Sequence, residues 1–323
     1  PGGFWPYSGK MRDRIREKTV VGPRSFVAGP IITAPGATHT LLPGSAWYYN
    51  HFIVASNDND LLRGAVRSLA AEGVDGLKLA YGKDGGSGTT WSAPGGLTET
   101  NLQVIVYEAH RLNLPVTAHI WKDEIGALEG VRANLDAIVH FIPMEGERYR
   151  ESEKEPGVDL PALLNRHDIE VVTTLYALVS DTANLSWEPG NAASPGNNEA
   201  LRYIKTRIAP SVRRHLDAGV TLIFGTDHGM FTLKGEFQSQ YATYEVQTMQ
   251  LAGLTPLEII QTLTGNAAKH PMVPDDIGTV EVGKRADLIL LQEDPVEDVT
   301  RMFQPVIVIL DGQIVVDKRA PGS

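Results

Sequence analysis

The chain has 323 residues, a length that accommodates one large domain, or one large domain and one small one. Its formal net charge is -10 and its basic residues are scattered, which argues against a nucleic-acid-binding surface. It contains no cysteine, so disulfide and thiolate chemistry are excluded, and no apolar run in it is long enough to span a membrane.

Six short apolar runs have the length of β-strands. Their near-continuous apolar character indicates strands that are buried on both faces, as in a parallel sheet. In chain order, the predicted strands are Ser25–Gly29, Gly76–Ala80, Pro115–His119, Ala137–Phe141, Glu170–Leu175 and Val220–Gly225.

Helical patterns lie between these runs. Apolar side chains recur at helical spacing over Leu61–Ala70, Leu102–Leu112 and Leu201–Leu216. Thr255 is predicted to cap a further helix, with Pro256 in its first turn. The alternation of strands and helices predicts βα units around a parallel sheet.

The loops of the chain are asymmetric. Long segments follow the predicted strands, such as residues 30–50 and 82–96, whereas the helix-to-strand connections are short. In a (β/α)8 barrel, the long loops build the active-site face. A flavodoxin-like sheet also carries its ligand loops there, but six βα units of this size favour the barrel. We therefore predict an α/β fold of the barrel type.

The C-terminal part of the sequence has a different pattern. Residues 286–291, 306–310 and 313–316 are predicted to form three short β-strands. Asp311 and Gly312 form a hairpin-turn signal between the last two. These features predict a small β appendage after the barrel.

Four predicted strands carry an ionisable side chain at or near the C-terminal end. These side chains are Lys78, His119, His140 and Asp227. In a barrel such strand ends converge on one mouth. Two imidazoles and a carboxylate suit Zn or a similar first-row ion, but an ammonium group would repel it. A lysine that carries a carbamate from CO2 would instead be an anionic ligand, so we expect one or two divalent metal ions and a carboxylated Lys78.

Each of these residues also has a plainer interpretation. A lone histidine at a strand end is more often a core or surface residue, and an aspartate after a strand is often a cap. A lysine in a strand usually extends its ammonium group to solvent. Three weaker candidates, for substrate binding, are Tyr176, His228 and His39. Adjacent side chains on a strand point to opposite faces, so Asp227 and His228 need not share a site.

A longer signature near the C-terminus points to a known family. The segment TPLEIIQTLTGNAAKH is followed by DIGTVEVGKRADLILLQEDP, and the segments VGPRSFVAGPIIT and GATH precede both. Together they resemble the metal-dependent amidohydrolase superfamily, in particular its imidazolonepropionase/prolidase-like branch, over nearly the whole chain. The resemblance implies a (β/α)8 TIM barrel with a small β-sandwich subdomain. Residues 1–275 would belong to the barrel, and residues 276–323 would be the C-terminal part of the sandwich.

The resemblance also implies a role for each of the four strand-end residues. Lys78 matches the strand-four lysine that becomes carboxylated and bridges two metals. His119 and His140 match the metal ligands on strands five and six. Asp227 matches the strand-eight aspartate that binds metal and moves the proton.

One part of the family pattern is absent. The first metal site of the family needs an H-x-H pair at the end of barrel strand one, and this sequence contains none. Aligning Pro1–Gly3 with the loop after strand two leaves strands 3–8 in this chain. An open six-strand barrel would expose two unpaired edges, so we expect an upstream segment of the same polypeptide to supply the missing strands. A natural one-metal or metal-free relative is the alternative.

The expected function is metal-dependent hydrolysis of a C–N amide bond in a dipeptide or N-acyl amino acid, with Asp227 as proton shuttle. One alternative is a catalytically inactive protein of the same fold with a binding or assembly role. Another is a phosphotriester, lactone or ester hydrolase on the same scaffold. A small-molecule substrate and a homo-oligomer are expected, without nucleic acid or membrane partners. A cytoplasmic location is favoured, and a periplasmic or secreted one is also compatible with the sequence.

Overall fold

The computed structural model of the chain describes residues 5–35, 53–81, 96–120, 124–140, 158–182, 197–227 and 238–319. The chain divides into two compact units. Unit 1 comprises Pro1–Val172 and Asp217–Thr221, and unit 2 comprises Thr173–Leu216 and Leu222–Ser323. Along the described stretches, no helix is both long and apolar enough to cross a bilayer. The domain boundary between residues 275 and 276 stays a prediction.

Unit 1 is built on a parallel sheet, as the apolar runs predict. Among the described residues of this unit, six strands lie in the order β2-β1-β3-β4-β5-β6, and each is paired in parallel with its neighbours. The strands are β1 (Ala28–Thr33), β2 (Ile53–Ala55), β3 (Gly76–Ala80), β4 (Val116–His119), β5 (Ala137–Val139) and β6 (Glu170–Val172). The helices of the unit are Trp5–Arg16, Asn59–Ala71, Glu99–His110, Glu124–Ala133 and Leu160–Arg166.

Strands β1 and β2 both differ from the sequence-based prediction. Strand β1 begins at Ala28 rather than Ser25 and continues past Pro30. Proline argues against a strand interior because it cannot donate to the ladder. Here the pairing of β1 with β3 is irregular around this proline, which accommodates it. Strand β2 is missing from the predicted set because a three-residue run is too short to signal a strand.

Side-chain caps begin the helices that follow β2 and precede β4. Asp58 accepts hydrogen bonds from the backbone N–H groups of Asp60 and Leu61, at 2.9 Å each. Thr98 and Asn101 form a reciprocal capping box. A cap of this kind stabilises a helix by about 1 kcal/mol. The apolar stripe of the first helix is buried, as predicted, at Leu62, Val66 and Leu69.

Unit 2 contains mainly helices, a short strand and a small antiparallel sheet. Its helices are Leu175–Thr182, Asn197–Tyr203, Ala209–Asp217, Gln238–Leu251 and Pro256–Leu263, and a π-helical turn, Ile204–Ile208, joins the second to the third. Strand β7 is Leu222–Ile223. The antiparallel strands, in the order β10-β9-β8, are β8 (Leu288–Leu290), β9 (Ile307–Leu310) and β10 (Gln313–Asp317).

Several local predictions in unit 2 can be compared with the structure. Thr255 does cap its helix, through a reciprocal capping box with Glu258. Asp311 and Gly312 both have positive φ angles, as a tight turn between two strands requires. The predicted strand Glu170–Leu175 is too long, because regular pairing ends at Val172 and a buried helix starts at Leu175. The helix Leu175–Thr182 therefore stands where the sequence predicts the last residue of this strand and the start of the long segment that follows it.

Candidate active site

Lys78 and His119 lie on the same face of the sheet in unit 1. In the register of β3 and β4, Lys78 aligns with Thr117 and Ala80 aligns with His119. Aligned residues of neighbouring strands point to the same face, and so do residues two positions apart along one strand. The two side chains are only 4% and 5% exposed. A lysine is almost never buried to this extent without a specific reason.

His140 is brought to this face by an unusual backbone conformation. Val139 aligns with His119, so regular alternation would point the next side chain, His140, to the opposite face. His140 instead has a φ of 67°, in the left-handed region that side-chain-bearing residues rarely adopt. Its ring is buried, and the ring centroids of His119 and His140 are 4.6 Å apart. The turn after β5 therefore places two imidazoles side by side.

Asp227 ends the described stretch that follows β7 in unit 2. It also has a left-handed backbone, with a φ of 53°, and its side chain is exposed. Such conformations cost about 1–3 kcal/mol and cluster at functional sites. Its predicted convergence with Lys78, His119 and His140 stays a prediction, because those residues belong to unit 1.

Glu245, in the helix Gln238–Leu251, is a buried carboxyl group that the sequence analysis does not identify. Its side chain is 0% exposed. Burial raises the pKa of this carboxyl to about 7, and the negative charge of Asp227 acts in the same direction. Hydrogen bonds from Thr173, Leu175 and Tyr176 oppose that rise in pKa without cancelling it.

Tyr176 lies in the first turn of the helix Leu175–Thr182, close after the end of β6 in the sequence. Its side chain is buried, and its ring centroid lies 5.0 Å from that of Tyr244 and 5.9 Å from that of Tyr241. The position after β6 agrees with the sequence analysis, although a helix stands where a strand and loop are predicted. The other two candidate substrate-binding residues, His39 and His228, lie outside the described residues.

The side chains of unit 1 fit a metal ion in part. Within the described stretches, no group of three or more His, Asp or Glu side chains is arranged to hold a metal. Two buried neighbouring imidazoles are nevertheless suitable nitrogen ligands for a first-row divalent ion. Lys78 is on the same face as His119 and would become a ligand only as a carbamate. The two imidazoles thus suit a metal ion as two of its ligands, and a third ligand from Lys78 requires the carbamate.

The sequence matches the Amidohydrolase family over residues 6–315, and the chain therefore belongs to this family. Ochratoxinase from Aspergillus niger is a relative with 26% identity over 317 residues, covering 92% of this chain. The chain spans about 60% of the length of that relative.

Solved structures show the same fold. A crystal structure of a Xaa-Pro dipeptidase with bound methionine matches with a TM-score of 0.70 and 23% identity, covering 98% of this chain and 73% of the other. Phenylurea hydrolase B matches with a TM-score of 0.68 and 21% identity, covering 99% and 76%. Together with the parallel sheet and the small antiparallel sheet, these matches confirm the predicted α/β fold of the barrel type. The family match over residues 6–315 confirms the predicted superfamily.

Proposed function

We propose that this chain is a metal-dependent hydrolase of C–N amide bonds, acting on a dipeptide or an N-acyl amino acid. The observation that carries the proposal is the buried pair His119 and His140, with ring centroids 4.6 Å apart at the C-terminal ends of two neighbouring strands. Active sites of βα barrels lie at this end of the strands. A buried Lys78 on the adjacent strand supplies the third member of the group.

In the proposed site, each residue of unit 1 has a defined task. His119 and His140 would hold a divalent metal through their ring nitrogens, and Lys78 would hold it as a carbamate. A metal in such a site lowers the pKa of water to about 7 and polarises the carbonyl group of the substrate. The carbamate would form from the neutral amine of Lys78 and CO2, with release of a proton. It would replace a positively charged group, which repels a metal ion, with a negatively charged one.

Asp227 and Tyr176 of unit 2 would act on the reacting groups. Asp227 would accept a proton from the attacking water and return it to the leaving nitrogen, as a general base and then a general acid. Its exposed side chain is compatible with proton exchange with a substrate. Tyr176 would donate a hydrogen bond to the substrate from its phenol group, in the position after β6 where barrel enzymes carry binding residues.

The names of related proteins support this substrate class. A Xaa-Pro dipeptidase acts on a dipeptide and a phenylurea hydrolase on a urea, and both compounds contain a carbonyl–nitrogen bond. The family of the chain, Amidohydrolase, is consistent with the same bond.

The proposal is tested by loading the purified protein with Zn2+ or Mn2+ in bicarbonate and measuring bound metal and hydrolysis together. The substrate panel contains Xaa-Pro dipeptides, N-acyl amino acids, lactones and a phosphotriester. We expect stoichiometric metal and hydrolysis of the first two classes, both lost after chelation. A protein without stoichiometric metal would contradict the proposal and favour an inactive binding protein. Faster turnover of the phosphotriester or the lactones would contradict the amide assignment.

A further inference from the structure

The segment that leads into the helix Leu175–Thr182 has a strained backbone. Thr174 has a φ of 46°, which is a rare conformation for a β-branched residue. The side chains of Thr173 and Thr174 are both buried. A conformation of this kind persists only where the surrounding structure holds it in place.

The carboxylate of Glu245 stabilises this backbone conformation through three hydrogen bonds. One of its carboxylate oxygens, Oε1, accepts hydrogen bonds from the Thr173 hydroxyl at 2.7 Å and from the Leu175 backbone N–H at 2.8 Å. The other, Oε2, accepts from the Tyr176 backbone N–H at 2.7 Å. The first N–H groups of a helix have no partner within the helix, so an external carboxylate satisfies them and interacts favourably with the helix dipole.

The same helix that carries Glu245 also carries the aromatic neighbours of Tyr176. Tyr241 and Tyr244 lie on Gln238–Leu251, and both rings are within 6 Å of the Tyr176 ring, centroid to centroid. Glu245 thus holds the backbone of Tyr176, while its helical neighbours hold the ring. Because Glu245 itself is fully buried, it cannot contact a substrate directly.

We propose that Glu245 is a positioning residue, whose carboxylate fixes the turn 173–176 so that Tyr176 is held ready to bind substrate. This inference rests on the proposed function, because it assigns Glu245 to the substrate-binding side of the same site. Its role would differ from that of an ordinary capping carboxylate, because the residue whose backbone it holds, Tyr176, is the proposed substrate-binding residue.

The chain contains a matched control for a purely stabilising cap. Glu258 accepts hydrogen bonds from the Thr255 backbone N–H at 2.8 Å and the Thr255 hydroxyl at 2.9 Å, and so begins its own helix Pro256–Leu263. It also accepts from Arg213, at 2.8 Å. Replacing this carboxylate with an amide changes a cap of the same kind in the same unit without touching Tyr176.

The central variant is E245Q, which is close to the native side chain in shape. Glutamine has one acceptor oxygen and one NH2 donor, whereas the native carboxylate accepts on both oxygens. In either orientation of the amide, at least one N–H or O–H donor faces another donor. At a pH above about 7, where the native carboxyl group is ionised, we expect E245Q to show faster hydrogen exchange at the Leu175 and Tyr176 amides. We also expect a kcat/KM lower by about 10- to 100-fold, carried mainly by a higher KM.

The proposal predicts that E245Q acts through Tyr176, and a double-mutant cycle measures this. In a Y176A background, E245Q should lower kcat/KM by no more than about 3-fold, because the residue that it positions is already absent. E258Q should leave kcat/KM within about 2-fold of wild type, whatever its effect on stability.

A milder pair of variants covers the case in which E245Q fails to fold. T173V removes one of the three donors to Glu245, and T173S keeps the hydroxyl that donates it. We expect T173V to raise KM by about 3- to 10-fold and T173S to stay close to wild type.

Two results would overturn the positioning role. An active wild type whose kcat/KM falls by the same factor on E245Q in both backgrounds would reduce Glu245 to a stabilising residue. So would an active wild type that E245Q and T173V leave unchanged. An inactive wild type would instead overturn the proposed function, and the positioning role with it.

Discussion

Two left-handed turns, one in each unit, are built in different ways. After β5, His140 has a φ of 67°, and its imidazole lies against that of His119. At Thr174 the φ is 46°, and the residues on either side are held by the buried carboxylate of Glu245. In the first case the residue with the left-handed backbone is itself a proposed metal ligand. In the second it is a connector, and the proposed substrate-binding residue is Tyr176, two positions further along the chain.

The two turns differ in where the groups that support them lie in the chain. The turn at His140 is supported locally, since its N–H donates to the Val172 carbonyl at 3.2 Å and its ring packs against another ring on the neighbouring strand. The turn at Thr174 depends on a residue about 70 positions later in the chain. Substitution of His140 should therefore remove a proposed metal ligand. Substitutions that disturb the turn at Thr174 should instead misplace the proposed substrate-binding residue Tyr176.

The largest expected effect comes from removing either imidazole at the first turn. H119A or H140A should lose bound metal and lower kcat/KM by at least about 100-fold, the upper end for residues that merely orient a ligand. Metal content of the purified variants and their hydrolysis rates measure this. The control is H167A, at an exposed histidine of the same unit. Retention of stoichiometric metal by both variants would break the assignment of the pair.

A second large effect is expected at Lys78. Loading the metal-free protein with metal in buffer from which CO2 and bicarbonate have been removed should lower metal content, because the carbamate on Lys78 cannot then form. The variant K78A should have the same effect. Restoring bicarbonate should recover the wild type and not K78A. Equal metal content of K78A and wild type would show that the lysine is not a ligand, and would leave the two imidazoles as the proposed ligands among the described residues of unit 1.

A smaller effect concerns stability at the second turn. Glu245 has a pKa of about 7 in the folded chain, against 4.5 for an ordinary glutamate, so the folded state binds its proton more tightly than the unfolded state. A group of this kind favours folding at low pH, and its contribution is lost as the pH rises from 4.5 to about 7. The free energy of unfolding of wild type, relative to E245Q, should fall by about 3 kcal/mol across that interval and then stay constant.

Denaturant unfolding of both proteins at several pH values measures this difference. A difference that rises with pH would mean that the hydrogen bonds to Glu245 outweigh its burial, and that its pKa is lowered.

The smallest effect is expected at the control cap. E258Q should lower the free energy of unfolding by about 1 kcal/mol, because a capping-box carboxylate on a partly exposed helix end contributes about that much. Thermal unfolding measures the change. If E258Q lost more activity than its loss of stability explains, Glu258 would not be a purely stabilising cap. The contrast with Glu245 as a positioning residue would then fail.

The strand-end residues could be found from the sequence because charge interrupts apolar runs. Lys78 and His119 stand out within GLKLA and PVTAH, and register in a parallel sheet then places them on one face. The convergence of strand ends predicts that His140 lies near His119, but strand alternation by itself would turn its side chain to the opposite face. The approach of the two imidazoles depends on the left-handed backbone of His140, which the residues AIVHF do not indicate.

Glu245 could not be predicted from the sequence, for a different reason. Its helix, QSQYATYEVQTMQL, mixes polar and apolar residues without a clear stripe, so the helix itself is not predicted. The donors that hold the carboxylate come from a distant segment and include two backbone N–H groups. Contacts between residues so far apart in the chain cannot be predicted from a local sequence pattern. Strand β2 is missed for a similar reason, because it is defined by its pairing with β1.

The metal site is tested most directly by a crystal structure of the protein grown with Zn2+ and bicarbonate, with anomalous data collected at the zinc edge. We expect an anomalous peak about 2.0–2.1 Å from a ring nitrogen of His119 and of His140. We also expect additional density for a carboxyl group on Lys78 Nζ. A zinc-loaded crystal with no peak at these imidazoles and an unmodified Lys78 would contradict the proposed metal site.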